Sequence, residues 1–299
     1  MKRFLLTMLT LALAIPAFAS SKGYKVTLTK DNIIMMNAVF DSTAVAKVAL
    51  EAKRLDSILP SKEPLYLILD SPGGSIDAGI ELIENLNNLN RPIHTLTLFA
   101  ASMGFQTVQG VNRGHRLITN AGTLMSHKAR GGFSGEFPGQ LDSRYGYYLK
   151  RVTNLDKGVV ARTRGKHSMQ SYAALIENEY WCDGDDCIKQ GFADMVVAPV
   201  CDKSLAGTRT EVEKFFFMGV AIEIHMVFSA CPTVTGLIEY KILVAGENMF
   251  KTEAESKDYK WGGSILEKLP KEFLTLLNEK VQDTIAKRTN TAKRLVIKY

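Results

Sequence analysis

The sequence predicts an α/β fold built on a parallel sheet, and three observations carry that expectation. Two short apolar runs, 65–69 and 93–99, have the length and composition of strands buried on both faces. Segments with helical apolar spacing, 44–58 and 77–89, alternate with them. Each passage from strand to helix is marked by small or turn-forming residues. These are Asp70-Ser71-Pro72-Gly73-Gly74-Ser75 after the first run and Ala100-Ala101-Ser102-Met103-Gly104 after the second. Strands and helices in alternation imply parallel strands joined by right-handed crossovers.

Taken in order, the first residues read as a leader rather than as fold. Lys2-Arg3 is a basic start, 4–15 an apolar stretch, and Ala17-Phe18-Ala19 a small-x-small cleavage site before Ser20. Cleavage after Ala19 is expected, with a retained membrane anchor as the alternative, and it would make the mature protein periplasmic or secreted. No later run reaches the ~18–20 apolar residues that span a bilayer; the nearest, 215–230, carries Glu223 and His225.

Residues 25–29 read as an edge strand. Asp41-Ser42-Thr43 offers a cap to the helix 44–58, which the segment 60–64 closes. Strand 65–69 and helix 77–89 follow, Arg91-Pro92 stops the helix, and Ile93 opens the next strand. Beyond Ser102, a helix is expected over 105–111 and two short strands over 116–118 and 123–125, the second leading to His127. The glycine-rich segment 131–139 reads as an exposed loop or hairpin, 141–164 as a long helix, 169–176 as a short one, and 191–197 as the turn into the last core strand. After Cys201 the character changes: 208–244 reads as strands and 266–287 as an amphipathic helix. The expected organisation is a leader over 1–19, a core domain over 20–200 and a C-terminal α+β extension over 201–299.

A chain of 299 residues, 46% hydrophobic and 23% charged, has globular composition and length enough for a sizeable core. The net charge of +6 is modest and no dense Lys/Arg block with interleaved aromatics occurs, so nucleic acid is not an expected partner. The cysteines Cys182, Cys187, Cys201 and Cys231 are even in number, which in an exported chain favours disulfides with three possible connectivities. Cys182 with Cys187 and Cys201 with Cys231 is the pairing expected. The Cys182/Cys187 spacing is wide for a zinc knuckle and no histidine lies nearby, so neither metal nor cofactor is expected.

The candidate chemistry gathers round Ser102. A strand that delivers a serine to a helix N-terminus among small residues can present an activated nucleophile, with N–H groups near enough to meet an oxyanion. The same residues also suit a plain tight turn. Ser71-Pro72-Gly73-Gly74 forms a second corner, where two glycines let backbone N–H groups face a ligand without a Cβ in the way. A phosphate loop is the competing reading, but no Gly-Lys-Ser/Thr follows. His127, at a strand end, is the candidate base. His94, His115, His167 and His225 lack a comparable setting and read as structural.

Together, Leu69-Asp70-Ser71-Pro72-Gly73-Gly74-Ser75, Ala100-Ala101-Ser102-Met103-Gly104, and Met125-Ser126-His127 with Gly131-Gly132 resemble the proteolytic subunits of the Clp protease family, in order and in spacing. The resemblance covers roughly 26–197. It implies a Clp/crotonase-like spiral of βαβ units with 141–164 as a protruding handle helix, here followed by a strand-rich C-terminal extension ending in a helix. It also implies a serine peptidase with Ser102 as nucleophile, His127 as general base, and the N–H groups of Gly74 and Met103 as the oxyanion hole. That assignment agrees with the chemistry, since a serine needs a neutral imidazole to take its proton and preorganised donors for the tetrahedral intermediate.

The third member departs from the family. Aligning Gln190-Gly191-Phe192-Ala193-Asp194 with the family's Tyr-Gly-Leu-Val-Asp puts Glu179 where an aspartate is usual. Asp183 is the competitor, with Asp185 and Asp186 behind it, and Lys128 offers a serine–lysine alternative that the adjacent histidine makes unnecessary. The resemblance further implies peptide or unfolded-protein substrates and a homo-oligomer assembled through the handle helix. An ATP-driven unfoldase is not expected after export, and 201–299 has no counterpart in the family. Two other readings stand beside the peptidase: a catalytically inactive scaffold or binding protein of the same fold, and a crotonase-like acyl-thioester enzyme, which needs no Ser/His pair. Phe99, Met125 and Phe133 hint at an apolar pocket for a substrate side chain.

Overall fold

The apolar runs at 65–69 and 93–99 lie in the middle of one sheet. The computed structural model describes residues 24–60, 63–217 and 220–248 together with positions 275, 279 and 282. The leader expected over 1–19 lies outside the described residues, as does the helix expected over 266–287 except for those three positions, each helical. In chain order the elements are β1 (Tyr24–Leu28), β2 (Ile33–Met36), α1 (Ser42–Ile58), β3 (Leu65–Ser71), α2 (Ile76–Asn87), β4 (Ile93–Ala101), α3 (Met103–Gly110) and β5 (Arg116–Ser126). There follow α4 (Gly139–Arg162), α5 (Met169–Leu175), β6 (Tyr180–Asp183), α6 (Gly184–Gln190), β7 (Met195–Cys201), β8 (Thr208–Phe217), β9 (Val220–Ser229), β10 (Leu237–Val244) and β11 (Glu247–Asn248).

A seven-stranded sheet runs β1-β7-β5-β4-β3-β2, every neighbour on this path parallel, and β6 pairs antiparallel with the end of β5. The continuous apolar character of β3 follows from burial on both sides. Leu67 and Leu69 face a core shared with Val48 and Leu55 of α1, Leu82 of α2 and Phe105 of α3, while Ile68 faces a second cluster with Leu96, Leu117 and Val197. Each such fully buried side chain contributes about 1.5–3 kcal/mol. This is the Clp/crotonase-like α/β arrangement the resemblance implied. The first half of α4 is exposed, with Tyr145, Tyr147 and Leu149 in solvent, and its second half anchors through the buried Val159.

Capping sets the helix boundaries. Asp41 accepts from Ala44 N at 2.8 Å, so α1 starts at Ser42, earlier than the apolar periodicity suggests. Arg91, nearly buried, ends the same helix. Its guanidinium pairs with Asp56 at 2.9 Å and donates to the carbonyls of Asp56 and Leu59, which have no partner within the helix.

Three elements differ from expectation. The two short strands expected at 116–118 and 123–125 are one strand, β5, because Asn120-Ala121-Gly122 leaves the ladder only locally, between the pairs Thr97–Ile118 and Phe99–Thr123. A turn-like sequence was therefore absorbed as an irregularity within the strand. The segment β6–α6 had too little length to show a period. Gly191, expected to lead into a strand, instead closes α6 at φ +79, and the last core strand begins at Met195.

Beyond β7 lies a separate four-stranded antiparallel sheet, ordered β11-β10-β9-β8. In β9 the buried Val220, Ile222, Ile224 and Met226 alternate with Glu223 and His225, so 215–217 and 220–229 of the apolar run are strand, and no helix among the described residues is long and apolar enough to cross a membrane. Both expected disulfides form. Cys182–Cys187 joins β6 to α6, and Cys201–Cys231 ties the end of β7 to the turn after β9 across 30 residues of sequence. A closure of that length restrains the unfolded chain by about 3–4 kcal/mol. Replacing Cys201 and Cys231 by alanine together is accordingly expected to lower the unfolding free energy by that amount, read from urea unfolding against the oxidised parent.

Candidate active site

Ser102 stands between the end of β4 and the start of α3 with φ 54 and ψ −114, a conformation that glycine adopts easily and serine does not. Holding a side-chain-bearing residue there costs of order 1–3 kcal/mol. The surroundings impose it: Ser102 N donates to Met125 O at 2.9 Å, and Ser102 O accepts from Gln106 N at 3.1 Å in the first turn of α3. A serine at a helix start usually turns its hydroxyl onto the helix's own N–H groups. Here it makes no such cap, and Oγ lies 2.8 Å from Nε2 of His127.

His127 follows directly after β5, which runs parallel to β4, so adjacent strands deliver the two side chains to the same edge. The preceding residue is pinned below it by the buried Ser126 Oγ···Tyr172 OH contact of 2.7 Å. Burial drives the Tyr172 hydroxyl far above its ordinary pKa, so this support stays neutral at any working pH. The other ring nitrogen, Nδ1, is buried with no partner among the described residues.

The Gly73-Gly74 corner closes against Ser102. Gly73 has φ +95, and a methyl group there would lie 2.6 Å from Ala101 O, 2.7 Å from Ser102 Cβ and 2.8 Å from Met103 N. Phe40 N donates to Gly73 O at 2.8 Å, and Ser75 N to Phe40 O at 2.7 Å. Because the peptide is trans, an N–H points opposite the carbonyl of its own unit. The bond from Phe40 therefore turns the Gly74 N–H away from Phe40. Met103 N, at the first position of α3, is one of the helix's orphan donors. Gly73→Ala is expected to lower catalytic turnover by about 10²–10³, the cost of displacing an oxyanion donor, read as kcat with the melting curve recorded in parallel.

Sequence reasoning missed what locks Met103. Its side chain lies over Gly79 of α2, where a methyl group would come within 2.2–2.6 Å of Met103 side-chain atoms. An isolated glycine inside a helical pattern was the available signal.

Glu179 has φ +71 and lies one residue before the Ser126–Tyr180 pair that ends the β5–β6 ladder. It shares a cavity of about 340 Å³ with His127, Lys128, Arg130, Ile176 and Glu177. The structure does not join it to His127. Its carboxylate accepts from Arg130 Nη2 at 2.7 Å, and Lys128 pairs with Glu177 rather than turning to Ser102. Asp183 sits opposite Thr123, farther back along β5, and Asp186 pairs with Lys189 at 2.7 Å. Arg130 is the second residue missed, a basic side chain just before Gly131-Gly132. The rings of Phe99 and Phe133 pack on Trp181 and Tyr148, and the cavity beside His127 is charged rather than apolar. Among the described residues no group of His, Cys, Asp and Glu could hold a metal ion.

The arrangement sets an imidazole nitrogen 2.8 Å from a serine hydroxyl, with the Gly73 corner packed against Ser102 and the N-terminus of α3. Comparison with known proteins points the same way. The chain is 26% identical over 172 residues to a protein of Streptococcus pneumoniae named ATP-dependent Clp protease proteolytic subunit, covering 57% of this chain and 87% of that one. It is 28% identical over 173 residues to the protein of that name from Streptococcus suis, covering 57% and 86%. The Clp protease family matches residues 19–200, more than half of the sequence, and the chain belongs to that family.

Proposed function

We propose that this protein is an exported, ATP-independent serine endopeptidase that cleaves peptide bonds through an acyl-enzyme on Ser102. The observation that carries the reading is the 2.8 Å contact between His127 Nε2 and a Ser102 Oγ held on a strained strand-to-helix turn. Neutral His127 takes the Oγ proton as Ser102 attacks the carbonyl. The oxyanion is met by the N–H groups of Gly74 and Met103, and the imidazolium protonates the leaving amine. Water then repeats the sequence on the ester. Glu179 is the carboxylate assigned to orient the imidazole.

Two disulfides in the described chain favour an oxidising compartment and so support export after cleavage of 1–19. The boundary between the peptidase domain and the extension is assigned to about residue 200, where β7 ends. The exposed Tyr145, Tyr147 and Leu149 on α4 support homo-oligomer assembly through the handle.

A fluorophosphonate probe tests the reading. Covalent labelling mapped to Ser102, with parallel loss of peptide hydrolysis, is the result expected. A folded protein that takes up no probe would be the inactive scaffold, and turnover of acyl-thioesters without labelling would favour the crotonase-like reading.

A further inference from the structure

We propose that Arg130 is a specificity residue: it binds a carboxylate of the substrate, and by doing so gives up Glu179 to His127. The inference rests on the peptidase reading above. It begins from a mismatch inside the site. His127 Nδ1 is buried and unpartnered among the described residues, although a serine peptidase works fastest when that N–H is held by a carboxylate. The candidate carboxylate, Glu179, lies one residue beyond the Ser126–Tyr180 pair that ends the β5–β6 ladder and lines the same cavity as His127. Yet its carboxylate is held by Arg130 at 2.7 Å.

Three features make this pair exchangeable. Arg130 is 75% exposed and Glu179 34%, so the ion pair is weakened by water and salt and is readily replaced. Glutamate has an extra rotatable bond relative to aspartate, which lets one backbone position serve either Arg130 or the imidazole. The guanidinium presents a fork that matches any carboxylate, including one carried by a peptide. The other charges in the cavity, Lys128 and Glu177, are already paired with each other, which leaves Arg130 as the cation that Glu179 and an incoming acid would share. The ligand class is thus a peptide with a carboxylate near the scissile bond, either an acidic side chain or the chain's own C-terminus. Its binding frees Glu179, a positioning residue, to take the His127 Nδ1 proton in a hydrogen bond and hold the ring in the tautomer that accepts from Ser102.

The test uses the purified protein with matched quenched peptides, Glu against Gln beside the cleavage point, each with a free or an amidated C-terminus. The wild type is expected to cleave the carboxylate-bearing peptide with a higher kcat, and not merely a lower KM. The gain should be about two- to fivefold, the ratio that an exposed ion pair can maintain. Which of the two carboxylates gives the gain identifies the source. Arg130→Gln is expected to cleave the neutral peptide faster than wild type and to lose the preference. Adding Glu179→Gln is expected to cancel that gain, and Arg130→Lys to restore only part of the preference. Equal kcat for matched peptides, or slower cleavage of the neutral peptide by Arg130→Gln, overturns the proposal. If wild type takes up the fluorophosphonate but shows no carboxylate preference, the Arg130 assignment alone fails. If neither wild type nor Arg130→Gln takes it up, the peptidase reading fails with it.

Discussion

Replacing Ser102 by alanine, His127 by alanine, or both, is expected to lower peptide hydrolysis by one common factor of about 10⁶, the scale seen when a serine triad is dismantled. On the proposed mechanism the penalties do not add, because the two residues perform one act. Without the imidazole the hydroxyl keeps its proton, and without the hydroxyl the imidazole has nothing to activate. The residual rate should come from the Gly74 and Met103 donors, which neither substitution touches. The same position also separates chemistry from folding. Ser102→Ala retains a Cβ at φ 54, ψ −114, so its stability should stay near that of the parent. Ser102→Gly removes the Cβ and is expected to raise unfolding free energy by about 1 kcal/mol while being as inactive as alanine. Initial rates with one quenched peptide and urea midpoints for the same preparations check both statements. A double variant much slower than either single one would show that the residues do not act together.

The second large effect is structural. Arg116→Ala is expected to destabilise the fold by about 3–5 kcal/mol, the cost of leaving one member of a buried ion pair without its partner. Arg116 is 2% exposed. Its guanidinium donates to Asp194 Oδ1 at 2.7 Å, to Gln109 Oε1 at 2.6 Å and to Gly191 O at 2.7 Å, and its backbone N–H also reaches Asp194. This one side chain therefore ties the start of β5 to α3, whose first residue follows Ser102, and to the end of α6. Activity should fall together with stability, since β5 leads directly into His127 and α3 begins at Met103, whose N–H is the proposed oxyanion donor. Arg116→Met, which restores volume but not charge, should recover little.

The pH dependence follows from the same pair. Burial acts to raise the Asp194 carboxyl, but hydrogen bonds from the Arg116 side chain and backbone outweigh it, so the folded-state value lies below the ordinary one. A depressed carboxyl contributes stability above its unfolded pKa of about 3.9. That contribution is lost as pH falls from there through the lower folded value. In Arg116→Ala the side-chain bonds are gone, but the backbone N–H of residue 116 and Arg164 still face the carboxylate, so its pKa is depressed less and the contribution to stability shrinks. Urea midpoints at pH 7 and about pH 3 read this out, with the larger acid-side fall in the wild type.

Much of the fold was legible because local period reports burial. The runs in β3 and β4 are apolar throughout since both faces of the sheet are covered, and α1 and α2 show an apolar face because one side of each meets that sheet. Asp41 and Ser75 cap helices as their chemistry dictates, with Ser75 accepting from Ala78 N at 3.3 Å. The irregular pieces were not legible. β6 and α6 are four and seven residues long, too short to show periodicity, and they take form by pairing with β5 and by the Cys182–Cys187 bond. Asn120-Ala121-Gly122 reads as a break, yet the strands on either side hold β5 in one ladder.

The candidate site divides along the same line. Gly73-Gly74, Ser102 and His127 could be picked out by residue type, since a close backbone approach selects glycine, and a nucleophile and its base are a narrow choice. Their order along the chain pointed to a common edge of a parallel sheet. Only the packed molecule decided that Gly79 makes room for Met103, because an absent side chain signals nothing until a neighbour fills its space. Only the packed molecule decided where the Glu179 carboxylate lies. A glutamate that lines one cavity with an imidazole and a guanidinium has two candidate partners, and nothing local to its sequence says which will hold it. In the fold it is Arg130, brought there by the turn after β5, and Nδ1 of His127 is left without one.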